Sequence, residues 1–155
     1  MSAAPTLYAT VLRLLAEKGW KLQADEERRS VTMLMEGRNG TWPCIVVARE
    51  QEQQILVYSA SSLRVPPDRR TKLAETIARA NFGMVIGNFE LEMDTGEIRY
   101  KTSLDVSESE LDGGLLERIL RPNIQTMDRY LPTFAAAIHS DATPVQALAR
   151  VEGAP

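Results

Sequence analysis

The segment FELEMDTGEIRYKT, residues 89–102, constrains the fold of this chain more than any other. Apolar and charged side chains alternate along both of its arms, which is the period-two pattern of strands that bury one face. Asp94, Thr95 and Gly96 lie between the arms and are residue types that favour a turn. The segment therefore predicts a β-hairpin.

Charge and hydropathy together select a register for this hairpin. In one alignment apolar residues meet on one face and glutamates meet basic residues on the other. Its pairs are Met93–Ile98, Leu91–Tyr100, Glu92–Arg99 and Glu90–Lys101. A three-residue loop with Gly96 in a left-handed conformation would instead place Met93 opposite Glu97. We predict the first register, and we interpret the charged pairs as solvated cross-strand ion pairs rather than an active-site cluster.

Hydrophobic periodicity predicts the other elements. Segments of helical spacing and segments of alternating residues are separated by glycine, proline and polar residues. The predicted elements are a helix over 6–18, strands over 20–25, 30–36, 41–49 and 53–60, a helix from Asp68 to near Gly83, the hairpin, and a helical region over 116–138. The sequence thus predicts a single α+β domain over residues 1–140, with an antiparallel sheet flanked by helices.

Two prolines and the C-terminal residues complicate the last helical region. Proline removes a backbone donor and clashes with the preceding turn. We therefore expect Pro122 to start a new helix or to kink this one, and Pro132 to do the same more mildly. Residues 141–155 are rich in Ala, Thr, Pro and Gly, and we expect a flexible tail with one turn at most, around 145–150.

The composition excludes several functional classes. A net charge of −3 and a pI near 5.3 give no basic surface for nucleic acid. Cys44 and His139 are the single cysteine and histidine, so one chain cannot assemble a Cys/His zinc site, and Cys44 is interpreted as a small buried hydrophobe. Residues 1–10 lack the pattern of a signal peptide, and no apolar run reaches the roughly 18 residues of a membrane span. We expect a cytoplasmic protein without membrane contact.

Sequence motifs of catalysis are missing as well. The chain contains no phosphate-binding glycine loop, no G-x-S-x-G elbow and no H-E-x-x-H. The glycine pair in 83–87 is interpreted as a helix cap and a strand entry, because it lies beside a strand instead of opening a helix. We therefore predict no enzyme activity, no catalytic residue, no metal site and no cofactor.

Three runs carry a family resemblance. They are RANFG at 79–83, GNFELEMDTGEIRYKTS at 87–103 and TMDRYLP at 126–132. Together they resemble the YbjN family of small bacterial proteins, and the likeness extends over about 42–138. The resemblance implies a fold like that of the type III secretion chaperones, in the order α-β-β-β-α-β-β-α, and the label of a sensory transduction regulator. The strand predicted over 20–25 would be an addition to that order.

The middle strands carry the functional prediction. In 42–48 and 55–58 both alternating sets of residues are apolar, so both faces of that part of the sheet need cover. One layer of helices covers one face. The second face then meets another subunit or a protein client, unless the C-terminal helices fold over both faces. The predicted partner-binding residues are Trp42, Ile45, Val47, Leu56 and Tyr58.

Two functional hypotheses follow. The first is a non-enzymatic chaperone-like or adaptor protein that binds a protein partner and forms a homodimer. The alternative is a regulatory module that binds a small ligand in a pocket between the sheet and the C-terminal helix. An exposed apolar groove would favour the first hypothesis, and an enclosed cavity with converging polar groups would favour the second.

Overall fold

The computed structural model describes residues 3–153, which form a six-stranded antiparallel sheet and four α-helices. The helices are α1 (Leu7–Ala16), α2 (Arg70–Asn81, preceded by a 3-10 turn at Pro67–Arg69), α3 (Gly113–His139) and α4 (Pro144–Glu152). The strands are β1 (Gln23–Asp25), β2 (Ser30–Glu36), β3 (Thr41–Arg49), β4 (Gln54–Arg64), β5 (Asn88–Leu91) and β6 (Glu97–Asp105). Their order in the sheet is β1-β2-β3-β4-β6-β5. The predicted α+β fold is confirmed.

Local sequence signals set several element ends. The bounds of β2 and β3 coincide with those predicted from alternation. The first helix, α1, begins after Thr6, whose side chain accepts a hydrogen bond from the N–H of Ala9. Glu50, directly after β3, accepts hydrogen bonds from the N–H groups of Leu7 and Tyr8 at 3.0 and 2.7 Å. This carboxylate therefore ties the start of α1 to the sheet.

Two strands differ in length from the prediction. The first strand, β1, covers 23–25 alone, because residues 20–22 make no ladder pairs with β2. The fourth strand, β4, continues four residues beyond Ala60. Its register with β6 shifts after that residue, and Arg64 then pairs with Glu97. A register shift of this kind lets the strand continue, and the alternation of apolar and polar residues in the sequence does not predict it.

The predicted hairpin forms, but its register is wrong by two residues. Leu91, not Met93, lies opposite Ile98, and Glu90 lies opposite Arg99. The rejected register, with Met93 opposite Glu97, does not form either. Because the displacement is an even number of residues, each side chain stays on the face that alternation assigns to it.

The observed register makes the hairpin loop two residues longer than the predicted one, and a tertiary contact at Gly96 explains this. This residue has a φ of +77°, and its N–H donates to the carbonyl of Glu92 at 2.8 Å. Its own carbonyl accepts the N–H of Val65 at 2.9 Å. A Cβ at Gly96 would lie 2.2 Å from the carbonyl oxygen of Val65. Docking against the segment before α2 therefore favours a loop that short-range pairing alone did not indicate.

One continuous helix, α3, spans both prolines, so neither Pro122 nor Pro132 starts a new helix, and the other predicted effect, a kink, stays a prediction. Pro132 cannot donate to the carbonyl of Asp128, but the Nδ2 of Asn39, in the β2–β3 turn, donates to that oxygen at 2.9 Å. Near Pro122, the hydroxyl of Thr102 donates to the carbonyl of Ile119 at 2.7 Å. Side chains from the sheet thus supply hydrogen bonds to carbonyls close to both prolines.

The C-terminal residues form a helix where a flexible tail was predicted. Thr143 caps α4 in a reciprocal capping box with Gln146, and Pro144 occupies its first turn. Ala147 and Leu148 are buried where α4 packs against α3 and α2. These contacts over 144–152 correct the tail prediction, whose last two residues, 154–155, lie outside the described residues.

The core lies between the helices and one face of the sheet, which we call the covered face. On this face α1 packs on β3, and α3 packs on β4 and β6. Asn123 of α3 is buried there, and its Nδ2 lies 2.9 and 3.1 Å from the carbonyl oxygens of Val57 and Tyr100. The buried apolar residues of the strands on this face are Val31, Met33, Met35, Trp42, Cys44, Val46, Ala48, Ile55, Val57, Phe89, Ile98 and Tyr100.

Candidate protein-binding surface

The other face of the sheet, which we call the open face, carries four of the five predicted partner-binding residues. Ile45 and Val47 alternate with the covered residues of β3, and Leu56 and Tyr58 do the same in β4. Ile45 lies opposite Tyr58, and Val47 lies opposite Leu56. All four side chains are half-buried. They therefore form one continuous apolar surface across the middle of the sheet.

Trp42 does not belong to this surface, which corrects its predicted placement. It lies on the covered face with 0% of its surface exposed, and its indole N–H donates to Ser59 Oγ at 2.9 Å. A tryptophan buried in this way is a core residue. Alternation already places Trp42 on the face opposite to Ile45 and Val47, so the predicted set joined residues of both faces. Because both faces of 42–48 are apolar, the sequence did not show which face is covered.

Two residues missing from the prediction extend the surface toward β2. Leu34 is 65% exposed and lies opposite Pro43 of β3. The signal was present in the sequence, because Leu34 is the apolar exception in the polar set Ser30, Thr32 and Glu36. We define the apolar patch of the open face by six residues: Leu34, Pro43, Ile45, Val47, Leu56 and Tyr58.

Charged residues of β5 and β6 border the apolar patch. Glu90 lies 2.9 Å from the guanidinium of Arg99 and 2.6 Å from the ammonium of Lys101. The Arg99 guanidinium lies over the Tyr58 ring, 4.3 Å from its centroid. Partial burial of Glu90 opposes its ionisation, but hydrogen bonds from Lys101 and Arg99 outweigh that effect and lower its pKa. The carboxylate is thus ionised at neutral pH, and the border is a paired charge cluster.

A groove lies at the other end of the open face, beside the outer edge of β2. Its volume is about 890 Å³, and it is lined on one side by residues 19–23 and on the other by residues 32–36 with Pro43. Trp20 and Leu34 are its exposed apolar side chains. The groove exists because residues 19–22 lie beside β2 without pairing with it, and pairing starts only where β1 begins at Gln23.

A second apolar surface, not predicted from the sequence, lies in the loop after α2. The loop after α2 exposes 92% of Phe82, 95% of Val85 and 46% of Ile86. We call residues 82–86 the apolar loop. Its glycine-flanked composition, FGMVIG, was interpreted as a helix cap and strand entry, and the helix does end at Asn81. The available signal was that four apolar residues occur in a segment that has no strand partner.

The alternative hypothesis places a ligand pocket between the sheet and α3, and this part of the structure contains both a cavity and packed core. The cavity, of about 540 Å³, is open to solvent and is lined by the apolar loop, by Tyr100 of β6 and by Thr126 and Tyr130 of α3. Between α3 and the sheet, Tyr100, Thr102, Asn123 and Met127 are all buried, and the Nδ2 of Asn123 lies 3.2 Å from the Thr102 hydroxyl. The Oδ1 of Asn123 is also buried and has no hydrogen-bond partner among the described residues. The roomier groove beside β2 is open to solvent and lined mainly by strand and loop residues.

Three further features bear on function: possible metal ligands, the Cys44 thiol and the hydropathy of the helices. Over residues 3–153, His, Cys, Asp and Glu form no group of three or more that could hold a metal ion. Cys44 is buried, as predicted, and burial raises its pKa to about 12, so the thiol is protonated at neutral pH. None of the helices within the same range is long and apolar enough to cross a membrane.

The chain is similar to known proteins both in sequence and in fold. A model of the YbjN family, described as "Putative bacterial sensory transduction regulator", matches residues 8–136. The crystal structure of YbjN from E. coli is similar with a TM-score of 0.66 and 13% sequence identity, covering 88% of this chain and 95% of that one. A search of curated proteins gave no significant match.

Two solved complexes contain chains of similar fold. One is the HopA1–SchA chaperone–effector complex, with a TM-score of 0.55 and 13% identity over 79% of this chain and 91% of that chain. The other is the ExsC–ExsE complex, with a TM-score of 0.54 and 17% identity over 83% of this chain and 98% of that chain. At these identities the likeness is one of fold.

Proposed function

The chain belongs to the YbjN family, and from this premise and the geometry of the open face we propose that it is a non-enzymatic adaptor or chaperone-like protein that binds a protein partner. The observation that supports a protein partner most strongly is the apolar patch. Six apolar residues lie together on a sheet face that the helices leave uncovered. Contiguous exposed apolar surface with a polar border is typical of protein-binding sites.

The composition of the surface supports a protein partner. Tyr58 is a residue type that often carries binding energy, and Arg99 stacked on it holds the ring in place. The paired charges of Glu90, Arg99 and Lys101 form a polar rim on one side of the patch. The chains of similar fold in the two solved complexes are themselves bound to other proteins, by the names of those structures.

We also propose a homodimer, and the apolar loop is the surface that fits it. Phe82 and Val85 are almost fully exposed, and their loop leads into β5, an edge strand that β6 separates from β4. Self-association through this loop would leave the apolar patch free for a partner. Light scattering over a concentration series tests it, since a particle that stays monomeric at every concentration contradicts the dimer.

The partner proposal is tested on the native complex. Affinity purification from the host identifies co-purifying proteins, and each candidate is then purified and titrated with this chain. Tyr58→Ala should weaken binding by more than about 1 kcal/mol, roughly fivefold in Kd, while the thermal midpoint changes little. Ser103→Ala is the matched control, because Ser103 lies beside the patch, opposite Leu56, and is already exposed.

Two outcomes would contradict this assignment. If Tyr58→Ala unfolds earlier but binds normally while folded, the apolar patch is structural. If the purified chain binds no protein and instead binds small metabolites, the ligand-binding alternative is favoured. In that case the groove beside β2 and the cavity lined by Tyr100, Thr126 and Tyr130 are the two places to map.

A further inference from the structure

The two outer edges of the sheet differ in how their backbone groups are satisfied. At the β5 edge, the side chain of Asn81 forms both hydrogen bonds that a neighbouring strand would make. Its Oδ1 accepts from the N–H of Phe89 at 2.7 Å, and its Nδ2 donates to the carbonyl of Phe89 at 3.0 Å. This edge is capped, as is common for exposed strands.

The β2 edge is free over its second half. Gly37 N–H donates to the carbonyl of Gly40 at 2.8 Å, in the same register as the β2–β3 ladder. Since pairs alternate in an antiparallel ladder, the N–H and C=O groups of Leu34 and Glu36 point away from β3. The first strand, β1, pairs only with residues 30–32. Within the described chain, the outward groups of Leu34 and Glu36 therefore have no strand partner.

The surroundings of this edge define what it can accept. The groove of about 890 Å³ lies directly beside it, so there is room for another chain. Leu34 presents an apolar side chain on the open face, next to Pro43. Glu36 is exposed and takes part in no ion pair with residues 3–153. The edge thus combines unpaired backbone groups, an apolar contact and a negative charge.

We propose that this edge binds an extended segment of the partner protein by adding it to the sheet as a strand. The segment is antiparallel to β2 and carries an apolar residue opposite Leu34 and a basic residue opposite Glu36. Since opposite residues in an antiparallel pair run in reverse, the basic residue lies two positions before the apolar one. This inference rests on the proposed function and specifies the chemistry of the partner.

A second copy of this chain fits the edge poorly. In a two-fold antiparallel pairing of two β2 strands, outward residues must face outward residues. Pairing Leu34 with Leu34 puts Glu36 opposite Thr32, which β1 already occupies. The other registers place Glu36 opposite Leu34 or opposite Glu36. Both are unfavourable, so a different protein segment satisfies the edge better.

Synthetic peptides test the proposal directly. The probe is a seven-residue peptide with blocked ends and the central sequence Arg-Thr-Leu between threonines, titrated into the isotope-labelled protein and followed by amide chemical shifts. Shifts should centre on 33–36 and 20–22. Methylation of the leucine nitrogen should weaken binding at least about tenfold, because that N–H faces the edge. Methylation of the central threonine nitrogen, which faces away, should change it less than about twofold.

Charge reversal sharpens the same measurement. A peptide with Glu in place of Arg should bind more weakly to the natural protein and regain affinity for Glu36→Lys. Equal effects of the two methylations would show docking by side chains alone and would overturn strand addition. So would the absence of binding by every peptide, or shifts confined to another surface.

Protein variants separate this inference from the proposed function. Leu34→Pro removes the outward N–H, and because Leu34 makes no hydrogen bond to β3, the sheet keeps its internal pairs. Leu34→Val is the matched control and keeps the N–H. With a purified partner, Leu34→Pro should lose at least about tenfold in affinity and Leu34→Val less than about threefold.

The possible results have distinct meanings. If Leu34→Pro binds the partner normally while Tyr58→Ala does not, the partner uses the open face but not the edge, and the inference is wrong. If both variants bind normally, the proposed surface is wrong as well. If Leu34→Pro instead dissolves a dimer in light scattering, a second copy occupies the edge, which also overturns the inference. Circular dichroism and urea unfolding confirm that each variant is folded.

Discussion

Val46 and Val47 are neighbours in β3, yet they lie in opposite environments. Val46 is fully buried on the covered face, where α1 packs on β3, whereas Val47 is half-buried on the open face, which no helix within residues 3–153 covers. The same residue type thus contributes to stability on one face and is available for binding on the other. The difference shows that apolar character on both sides of a strand does not reveal which side the chain itself covers.

The largest test of this comparison is truncation of one aromatic residue on each face. Trp42→Ala leaves a large cavity in the covered face and removes the hydrogen bond to Ser59, so it should cost about 3–5 kcal/mol of unfolding free energy. Tyr58→Ala on the open face should cost about 1 kcal/mol or less, in keeping with a small change in its thermal midpoint. Urea unfolding with unchanged m-values measures both. Equal losses would mean that the two faces are equally structural.

A smaller and cleaner test uses the two neighbouring valines. Val46→Thr buries a hydroxyl among apolar side chains and should cost about 1–3 kcal/mol. Val47→Thr makes the same chemical change where water can reach the hydroxyl, so its stability should stay within about 0.5 kcal/mol. Thermal or urea unfolding of the pair decides the result. A cost for Val47→Thr as large as for Val46→Thr would contradict an open face.

The charged border of the open face predicts a pH dependence. The folded pKa of Glu90 is lowered, so its ion pairs add stability above its ordinary pKa of about 4.5, and that stability is lost as the pH falls. Glu90→Gln should therefore lower stability at neutral pH by about 1 kcal/mol or less and show a weaker decline on acidification. Unfolding measured at several pH values checks this. Parallel curves for the two proteins would show that Glu90 contributes nothing to the acid sensitivity.

The smallest stability effect is expected in the apolar loop. Phe82→Ser removes a side chain that is 92% exposed, so the unfolding free energy should change by no more than about 0.5 kcal/mol. If the loop carries the homodimer, the same variant should raise the dimer dissociation constant in light scattering. A large loss of stability would show that Phe82 packs against structure, and an unchanged dimer would place self-association elsewhere.

Alternation along the chain predicted much of the sheet. The ends of β2 and β3 were correct, because apolar residues at every second position and the Gly37–Gly40 turn are local signals. The faces of Ile45, Val47, Leu56 and Tyr58 relative to one another were implied by the same parity. Five apolar residues of the middle strands were assigned to a partner surface, and four of them lie on the open face.

The errors share a physical cause. The hairpin register depends on Gly96 docking on Val65, and Asn39 of the β2–β3 turn bonds the carbonyl of Asp128, which Pro132 leaves without a helical donor. The helix α4 is stabilised by its packing on α2 and α3. Each of these contacts joins residues far apart in sequence, and none leaves a periodic signal.

The sequence by itself determined the family, the types of the elements up to α3 and the period of each strand, because these depend on residues close together in the chain. Tertiary structure decided which face of the sheet the helices cover, and so placed Trp42 in the core and Ile45 on the open face. It also decided which sheet edge is capped by Asn81 and which stays free at Leu34. Both decisions depend on how separate elements pack in space, which local residue patterns do not specify.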